Sequence, residues 1–177
     1  MSRISSSMSP TDALSSASRL LHARVGRELQ RYDAGGARLL ACVVALREAA
    51  EDADSEARVL LISSSKHPNV WILPKGGWES DETLAECALR EAEEEAGVAG
   101  VLERELGTLD FATKHGKRCR IHGFQMTVHH EFDAWAESNR RREWVLISDA
   151  LDRLCDRPEL LAMLERAVSE FSWGVRA

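Results

Sequence analysis

The sequence reads GGWESDETLAECALREAEEEAGV from Gly76 to Val98, and this stretch decides the fold class. Between Glu79 and Glu95 it contains eight acidic residues and one basic residue, Arg90. Acidic runs of this kind most often form the solvated face of a helix. The positions of the apolar residues between the acids show whether that explanation holds here.

The apolar spacing in this stretch predicts a helix from Thr83 to Ala96. Thr83 is followed three residues later by Glu86, which is the spacing of a capping box, and Gly97 is a suitable helix stop. At about 100° per residue, the apolar residues fall in one stripe that is expected to face the core. The stripe consists of Leu84, Ala85, Ala88, Leu89, Ala92 and Ala96.

Three carboxylates border the predicted apolar stripe. Glu91 and Glu95 lie within about 20° of Leu84 on the helix, and Glu94 lies one step further round. Carboxylates three and four residues apart repel one another, the more so when they are partly desolvated. A divalent cation relieves that repulsion, because Mg²⁺ binds carboxylate oxygens together with water and substrate phosphate. The sequence therefore predicts a metal site on this helix.

A family pattern coincides with the helix. The stretch resembles the Nudix box, G-x5-E-x7-R-E-U-x-E-E-x-G-U, in which U is an aliphatic residue. Its fixed positions are occupied by Gly76, Glu82, Arg90, Glu91, Glu94, Glu95 and Gly97, and its aliphatic positions by Ala92 and Val98. The resemblance implies the Nudix fold, an α/β/α sandwich around a mixed sheet. It also implies hydrolysis of a diphosphate that is linked to another moiety.

The same resemblance implies a role for each residue of the box. Glu91 and Glu95 would bind the cofactor, Mg²⁺ or Mn²⁺. Glu94 would act as the general base or as a further metal ligand, and Arg90 would orient the glutamates by ion pairing. The glycines at 76–77 would let the loop wrap around the end of the helix.

The rest of the chain has the composition of one globular domain. Its 177 residues are 44% hydrophobic and 29% charged. We expect residues 1–29 to form a serine-rich flexible tail, with Arg19–Gln30 as a candidate short helix. Residues 30–171 would form the Nudix hydrolase domain, and 172–177 a C-terminal tail.

Hydrophobic runs outside the central helix predict an α/β (α+β) layer structure. The acidic segment 48–56 and the segment Lys75–Gly77 are predicted to be loops. Strands are predicted at Arg38–Leu46, Arg58–Ser63, Val70–Leu73, Val101–Phe111, Arg120–His130 and Trp144–Ile147, and further helices at Leu151–Leu154 and Glu159–Phe171.

Composition also limits which binding partners and which cellular compartment we expect. The formal net charge of −6 disfavours a general nucleic-acid-binding role, and the four cysteines contain no CxxC pair, which excludes a zinc framework. No apolar run approaches the roughly 20 residues of a membrane span. We expect a cytoplasmic protein, with the nucleus as a further location and a transit peptide within residues 1–18 as the alternative. A small polyphosphate substrate is expected, with no nucleic acid, membrane or protein partner.

Basic residues are grouped despite the acidic balance. The segment Lys114–Arg120 has four Lys or Arg in seven residues, and Arg140–Arg142 is a run of three. Loops concentrate binding groups, and arginine binds phosphate through two parallel hydrogen bonds. This grouping favours a substrate with many phosphates.

A closer resemblance covers about Gln30 to Phe171. LISSSKHPNVWILPKGG, NRRREWVLISDAL and Arg157-Pro158 resemble the diphosphoinositol polyphosphate phosphohydrolases. The stretch LPKGGWE resembles the fungal members, which also cleave diadenosine polyphosphates. By that resemblance, the substrate phosphates would contact Arg31, Arg38, Ser64, Ser65, Lys66, Lys75, Gly76, Gly77, Lys117, Arg118, Arg120, Arg140 and Arg157. One departure is Leu39-Leu40, where animal relatives carry a second basic residue.

Two alternatives stay open at this stage. The first is a Nudix hydrolase of another substrate, such as a nucleotide sugar, an oxidised nucleotide or an RNA cap. The second is a module that binds inositol pyrophosphates without cleaving them. A dinucleotide substrate would benefit from a ring that stacks on adenine, and Trp71, Trp78 and Trp135 are available. Inositol pyrophosphates need no such ring.

Overall fold

One mixed sheet with three helices organises the described part of the chain. The computed structural model describes residues 22–47 and 57–169, so the predicted tails, the acidic loop and the end of the last predicted helix lie wholly or partly outside it. The strands are β1 (Arg38–Arg47), β2 (Arg58–Ser63), β3 (Trp71–Ile72), β4 (Lys75–Gly77), β5 (Val98–Ala112), β6 (Arg118–Glu131) and β7 (Arg142–Leu146). The helices are α1 (Leu84–Ala96), α2 (Ile147–Arg153) and α3 (Pro158–Val168).

Strand β1 lies at the centre of the sheet. The order is β3-β2-β1-β6-β5, with β4 also paired to β1 and β7 to β2. The pair β1–β6 is parallel and the other pairs are antiparallel. A parallel pair requires a long crossover connection, and α1 lies within that connection. Residues 40–46 of β1 are all buried, which explains its continuous apolar run.

Helices α1 and α3 cover opposite faces of the sheet. Gly76 of β4 packs against Glu91 of α1, whereas Gly123 of β6 packs against Met163 of α3. These two glycines are in register with consecutive residues of β1, and consecutive strand residues point to opposite faces. The predicted α/β/α sandwich around a mixed sheet is therefore confirmed.

The ends of α1 follow the sequence signals. The Thr83 hydroxyl accepts a hydrogen bond from the Glu86 main-chain N–H at 3.2 Å, and the Glu86 carboxylate accepts one from the Thr83 N–H at 2.7 Å. Gly97 ends the helix in the left-handed conformation, with φ of 62°. The predicted capping box and glycine stop are confirmed.

The buried stripe of α1 differs from the predicted one. Ala85 and Leu89 are exposed, and the buried apolar residues are instead Cys87, Ala88, Ala92 and Ala96. The face turned towards the sheet is thus shifted towards the carboxylates. This shift explains why the acidic residues of the helix are more deeply buried than the wheel predicts.

Two further expectations are wrong. Lys75–Gly77 is a strand rather than a loop, because its main chain pairs with β1 opposite Leu40–Cys42. Residues 22–30, the described part of the candidate N-terminal helix, are not helical. Val25 is 95% exposed and Gly26 has a φ of 106°, so no apolar contact stabilises a helix there. Across the described residues, no helix is long and apolar enough to cross a membrane.

Candidate functional site

Helix α1 buries three carboxylates against the sheet. Glu91, Glu94 and Glu95 are 8%, 9% and 7% exposed. Burial raises the pKa of Glu94 to about 7 and that of Glu95 to about 7, and it also raises the pKa of Glu91. Such clusters are costly in a folded protein, and perturbed carboxylates of this kind concentrate at functional sites.

Arg90 links the carboxylates of α1 to the loop that precedes the helix. Its Nε and Nη2 donate to the two oxygens of Glu82 at 2.9 and 2.7 Å. Its Nη1 donates to Oε1 of Glu91 at 2.7 Å and lies 3.5 Å from Oε2 of Glu94, and its Nη2 also donates to the Gly77 carbonyl. The guanidinium therefore contacts the carboxylates of Glu82, Glu91 and Glu94 at once and orients them.

Glu95 has both carboxylate oxygens occupied. Its Oε2 accepts a hydrogen bond from the Lys75 main-chain N–H at 2.9 Å, and its Oε1 accepts one from Nη2 of Arg140 at 2.7 Å. The pairing of Lys75 with Cys42 in the sheet holds that N–H in place. The last turn of α1 is thus fixed by groups from β4 and from the segment before β7.

A fourth carboxylate approaches the same cluster. Glu137, in the segment between β6 and β7, accepts a hydrogen bond from Nε of Arg140 at 2.6 Å, and its main-chain N–H donates to the Glu94 carbonyl at 3.0 Å. Its charge adds to the effect of burial in raising the pKa of Glu91 and Glu94. Glu137 was not predicted from the sequence, because no motif marks it.

The glycines of β4 allow the sheet to approach the helix closely. A Cβ at Gly76 would overlap the Glu91 carboxylate, and a Cβ at Gly77 would overlap Gln30 and Arg38. These are the positions that the sequence analysis expected to wrap around the helix end. Only glycine, which has no side chain, fits at positions 76 and 77.

The N-terminal segment lies across the outer side of the carboxylate cluster. The Arg24 guanidinium pairs with Glu79 and, at 2.8 Å, with Asp81. The Arg24 main-chain N–H lies 3.4 Å from Oε2 of Glu94. A pocket of about 440 Å³ lies between this segment and α1, and its lining includes His22. The sequence predicted a flexible tail with a candidate short helix here, and these contacts were not predicted.

The donor set suits a hard divalent cation. Glu91, Glu94 and Glu95 offer carboxylate oxygens, which are the ligands that Mg²⁺ and Mn²⁺ prefer. Burial is the largest cause of their raised pKa values, and the charges of neighbouring carboxylates add to it. Within residues 22–47 and 57–169 no three acidic, His or Cys side chains already converge as a ready-made metal cage. The carboxylates face guanidinium groups instead.

Several of the predicted substrate residues lie along one path from the cluster. Lys75 acts on Glu91 and Glu95 through its charge, and Arg38 acts on Glu91. Arg38 is in register with Cys119, next to Arg118, whose guanidinium lies against Gly35. This path joins the carboxylates of α1 to the tip of the β5–β6 hairpin, where Lys117 is exposed.

Other predicted substrate residues already hold protein partners. Arg31 stacks on the Trp78 ring at 4.6 Å and donates to the carbonyls of the loop after β4. Arg120 pairs with Asp110 through two hydrogen bonds. Arg140 is buried between carboxylates, as described above.

The remaining predicted residues lie at the ends of elements. Ser64 and Ser65 follow β2, with Ser64 half-buried and Ser65 exposed, and the adjacent Lys66 is exposed. Arg157 immediately precedes α3, and its Nη1 lies 4.0 Å from the buried Glu159.

The run of three arginines does not form one patch. Arg141 stacks on Trp71 and donates to the Pro68 carbonyl. Arg142 donates to the carbonyls of Ala96 and Gly97, so that it caps the C-terminus of α1. A cation there also suits the helix dipole, because the last turn of α1 has no basic residue of its own.

Comparison with known proteins agrees with this geometry. The NUDIX domain family model matches residues 39–167. Nudix hydrolase 21, chloroplastic, of Arabidopsis thaliana is 41% identical over 151 residues, which cover 84% of this chain and 75% of that protein. Diphosphoinositol polyphosphate phosphohydrolase 3-alpha of Mus musculus is 37% identical over 143 residues, covering 78% and 83% of the two chains.

Solved structures share the fold at low sequence identity. A NUDIX hydrolase from Nitrosomonas europaea superposes with a TM-score of 0.63 at 18% identity, covering 75% of this chain and 89% of that one. An Ap4A hydrolase of C. elegans superposes with a TM-score of 0.57 at 21% identity, covering 74% and 95%. Together, the matched domain, the relatives and the carboxylate helix show that this chain belongs to the Nudix hydrolase family.

Proposed function

We propose that this protein hydrolyses phosphoanhydride bonds in diphosphoinositol polyphosphates, with release of phosphate, and in diadenosine polyphosphates, using Mg²⁺ or Mn²⁺. The observation that carries the proposal is the path of basic residues that begins at the buried carboxylates of α1. The charges of Lys75 and Arg38 act on these carboxylates, and Arg118 on β6 precedes the residue that is in register with Arg38. A ligand with phosphates spread over a ring or a chain suits cations distributed in this way.

Each residue of the cluster would have its own role in hydrolysis. Glu91 and Glu95 would hold the cation, and Glu94, with its pKa of about 7, suits proton transfer at neutral pH. A bound divalent cation would neutralise the phosphate oxygens that otherwise repel an attacking nucleophile. Arg90 keeps the carboxylates oriented through its pairs with Glu82 and Glu91.

The tryptophans favour phosphate recognition over adenine stacking. An arginine covers a face of each candidate ring: Arg31 lies over Trp78, Arg142 over Trp135 at 4.3 Å, and Arg141 and Arg153 over Trp71. A base would have to displace a cation–π contact to stack on the covered face. We therefore place inositol pyrophosphates ahead of dinucleotides as substrates.

A substrate panel tests the proposal. The purified full chain is incubated with Mg²⁺ or Mn²⁺ and a diphosphoinositol pentakisphosphate, diadenosine tetraphosphate, ADP-ribose or a nucleoside triphosphate, and the products are measured. Preference for the first two supports the proposal, and preference for either of the others assigns a different Nudix substrate. Binding of the inositol pyrophosphate without phosphate release with either metal would make the protein a sensor.

Substitutions at the hairpin tip test the substrate class separately. Lys117→Ala and Arg118→Ala should raise KM for the highly phosphorylated substrates more than for a nucleoside triphosphate, because only the larger ligand would reach the tip. Arg58→Ala, an exposed arginine of β2 that donates to the Trp144 carbonyl, is the matched control. Equal effects on both substrates would show that the tip does not bind phosphate.

The location of the protein is a separate proposal. The relatives from Arabidopsis thaliana carry chloroplastic or mitochondrial in their names. We propose the cytoplasm for this chain, with the nucleus as a further location and an organelle as the alternative that these names raise. A fluorescent protein fused behind residues 1–29 would report an organelle if the segment is a transit peptide, and diffuse signal if it is not.

A further inference from the structure

The side-chain amide of Gln30 lies between the start of β1 and the end of β4. Its Nε2 is 3.0 Å from the main-chain carbonyl oxygens of Arg31, Leu39 and Trp78. Its Oε1 accepts a hydrogen bond from Nε of Arg38 at 2.7 Å. Because an amide nitrogen can only donate, the surrounding carbonyls allow one orientation of the side chain, with its oxygen turned towards Arg38.

The three carbonyls do not depend on Gln30 for a hydrogen-bond partner. The Arg31 carbonyl also accepts from the main-chain N–H of Leu39 at 3.1 Å, the Leu39 carbonyl from that of Trp78 at 3.0 Å, and the Trp78 carbonyl from that of Arg31 at 2.9 Å. Removing the amide would therefore leave none of them unpaired. The bond to Arg38 is the contact that no other described residue supplies.

Arg38 is half-buried, and its partner is neutral. Within residues 22–47 and 57–169, no carboxylate forms an ion pair with its guanidinium, and its Nη1 and Nη2 donate to no protein oxygen. Burial is the largest cause that lowers the pKa of Arg38, and the charge of Arg27 adds to it. A bound phosphate would offset both effects, and it can accept two parallel hydrogen bonds from one guanidinium.

Gly77 leaves room for the Gln30–Arg38 pair. A Cβ at this position would lie 1.9 Å from Oε1 of Gln30 and 2.6 Å from Nη2 of Arg38. The guanidinium therefore lies over the main chain of β4. Lys75 comes two residues earlier on the strand, so its side chain points to the same face. Two cations on one face of β4 suit a ligand with several phosphates.

We propose that Gln30 is a positioning residue that holds Arg38 by its Nε and presents the other two guanidinium nitrogens to the substrate phosphates. The inference rests on the proposed function, in which Arg38 contacts the substrate. A neutral partner suits this role, because it fixes the guanidinium without neutralising its charge. A carboxylate in the same place would pair with Arg38 and would repel a phosphate.

A double-mutant cycle on anion binding tests the inference. Calorimetry measures the binding of inositol hexakisphosphate, which has no phosphoanhydride bond to cleave, to the full chain without added metal. Gln30→Met should raise Kd about three- to tenfold, and less than about twofold when Arg38 is already replaced by alanine. Gln30→Leu is measured in parallel, and urea unfolding checks that each variant folds. Equal effects in both backgrounds would overturn the inference, and so would a wild type that does not bind the probe.

Gln125→Met is the matched control. Oε1 of Gln125 also accepts a hydrogen bond from an arginine, Nε of Arg104, at 2.8 Å. That arginine donates to the carbonyls of Arg166 and Ala167 at the end of α3. The control should therefore leave the Kd for inositol hexakisphosphate unchanged. A rise in Kd equal to that of Gln30→Met would reflect a general loss of structure and would contradict the positioning role.

Steady-state kinetics provide the second readout. Gln30→Met should raise KM for a diphosphoinositol pentakisphosphate about three- to tenfold and change kcat by less than about twofold, because the bond acts on substrate binding. A lowered kcat with unchanged KM would overturn the inference. Coupling in the binding cycle without hydrolysis by the wild type would support the inference and contradict the proposed function. Hydrolysis without coupling would overturn the inference alone.

Discussion

The main-chain N–H of Lys75 donates to Oε2 of Glu95 over 2.9 Å, across 20 residues of sequence. This bond ties β4, which pairs with the central strand, to the last turn of α1. It places a carboxylate beside a main-chain donor that only a substitution by proline would remove. The carboxylate cluster is therefore anchored to the most buried part of the sheet.

Neutralising one catalytic carboxylate should abolish turnover without harming the fold. Glu94→Gln and Glu95→Gln should each lower kcat by about 100-fold or more. The amide at position 94 also relieves repulsion among buried charges, so the stability of the metal-free Glu94→Gln variant should not fall. Phosphate release and urea unfolding check the two parts, with Glu103→Gln on the exposed edge of β5 as control. Unchanged turnover would remove these residues from the mechanism.

The raised pKa values predict how stability depends on pH. Folding raises the pKa of Glu94 and Glu95 from about 4.5 to about 7, so the folded state binds more protons than the unfolded state between those values. Their contribution to stability is therefore fully present below about pH 4.5 and falls as the pH rises to about 7. Unfolding at pH 5 and pH 7.5 should show a larger decrease for the wild type than for the Glu94→Gln, Glu95→Gln double variant.

Metal binding should reverse that pH effect. A cation needs the deprotonated carboxylates, so adding Mg²⁺ to the metal-free protein near pH 7 should release protons. Calorimetry in two buffers of different ionisation enthalpy measures the number released. The release should shrink in Glu94→Gln. A binding heat that is identical in both buffers would contradict the prediction.

Removing Arg90 should destabilise the protein strongly. Its partners Glu82 and Glu91 have side chains that are only 5% and 10% exposed, so Arg90→Ala leaves two buried carboxylates without their counter-charge. The expected loss is about 3–5 kcal/mol in the free energy of unfolding. Arg120→Ala breaks an exposed pair with Asp110 and should lower the stability far less, because water solvates both charges. Urea unfolding of both variants checks the difference.

A methyl group at position 76 should disrupt the site. The Cβ of Gly76→Ala would overlap the Glu91 carboxylate, so either the carboxylate or β4 must move. We expect loss of most activity together with reduced stability. Gly116→Ala provides the contrast, because nothing lies within 4 Å of its added Cβ and only the backbone strain at φ of 73° remains. Full activity of Gly76→Ala would show that this close approach is not required.

Loosening the N-terminal segment should ease access of the cation. Arg24 pairs with Glu79 and Asp81 and brings its main chain to Glu94. Arg24→Ala should lower the Mg²⁺ concentration for half-maximal activity by about two- to threefold, because a competing cation is removed. Arg27→Ala deletes a charge from the same segment and serves as control. An equal effect of both variants would reflect net charge alone.

The sequence by itself determined the helix α1, its two ends and the nature of its carboxylates. Capping, helix period and like-charge repulsion are local properties, and they depend on residues within four positions of one another. Strand positions followed for the same reason wherever long apolar runs are buried, as in β1 and β2. The short strand β4 escaped prediction, since its three residues are held by pairing with β1 rather than by their own preference.

Only the tertiary structure decided which charges meet. Arg140 reaches Glu95 across 45 residues and Arg24 reaches Glu94 across 70, and both contacts depend on how distant segments pack. In the sequence, Arg140, Arg141 and Arg142 form one basic run. In the fold, Arg140 binds two carboxylates, Arg141 stacks on a tryptophan and Arg142 caps the end of a helix. The three side chains diverge because successive residues of an extended chain point in different directions.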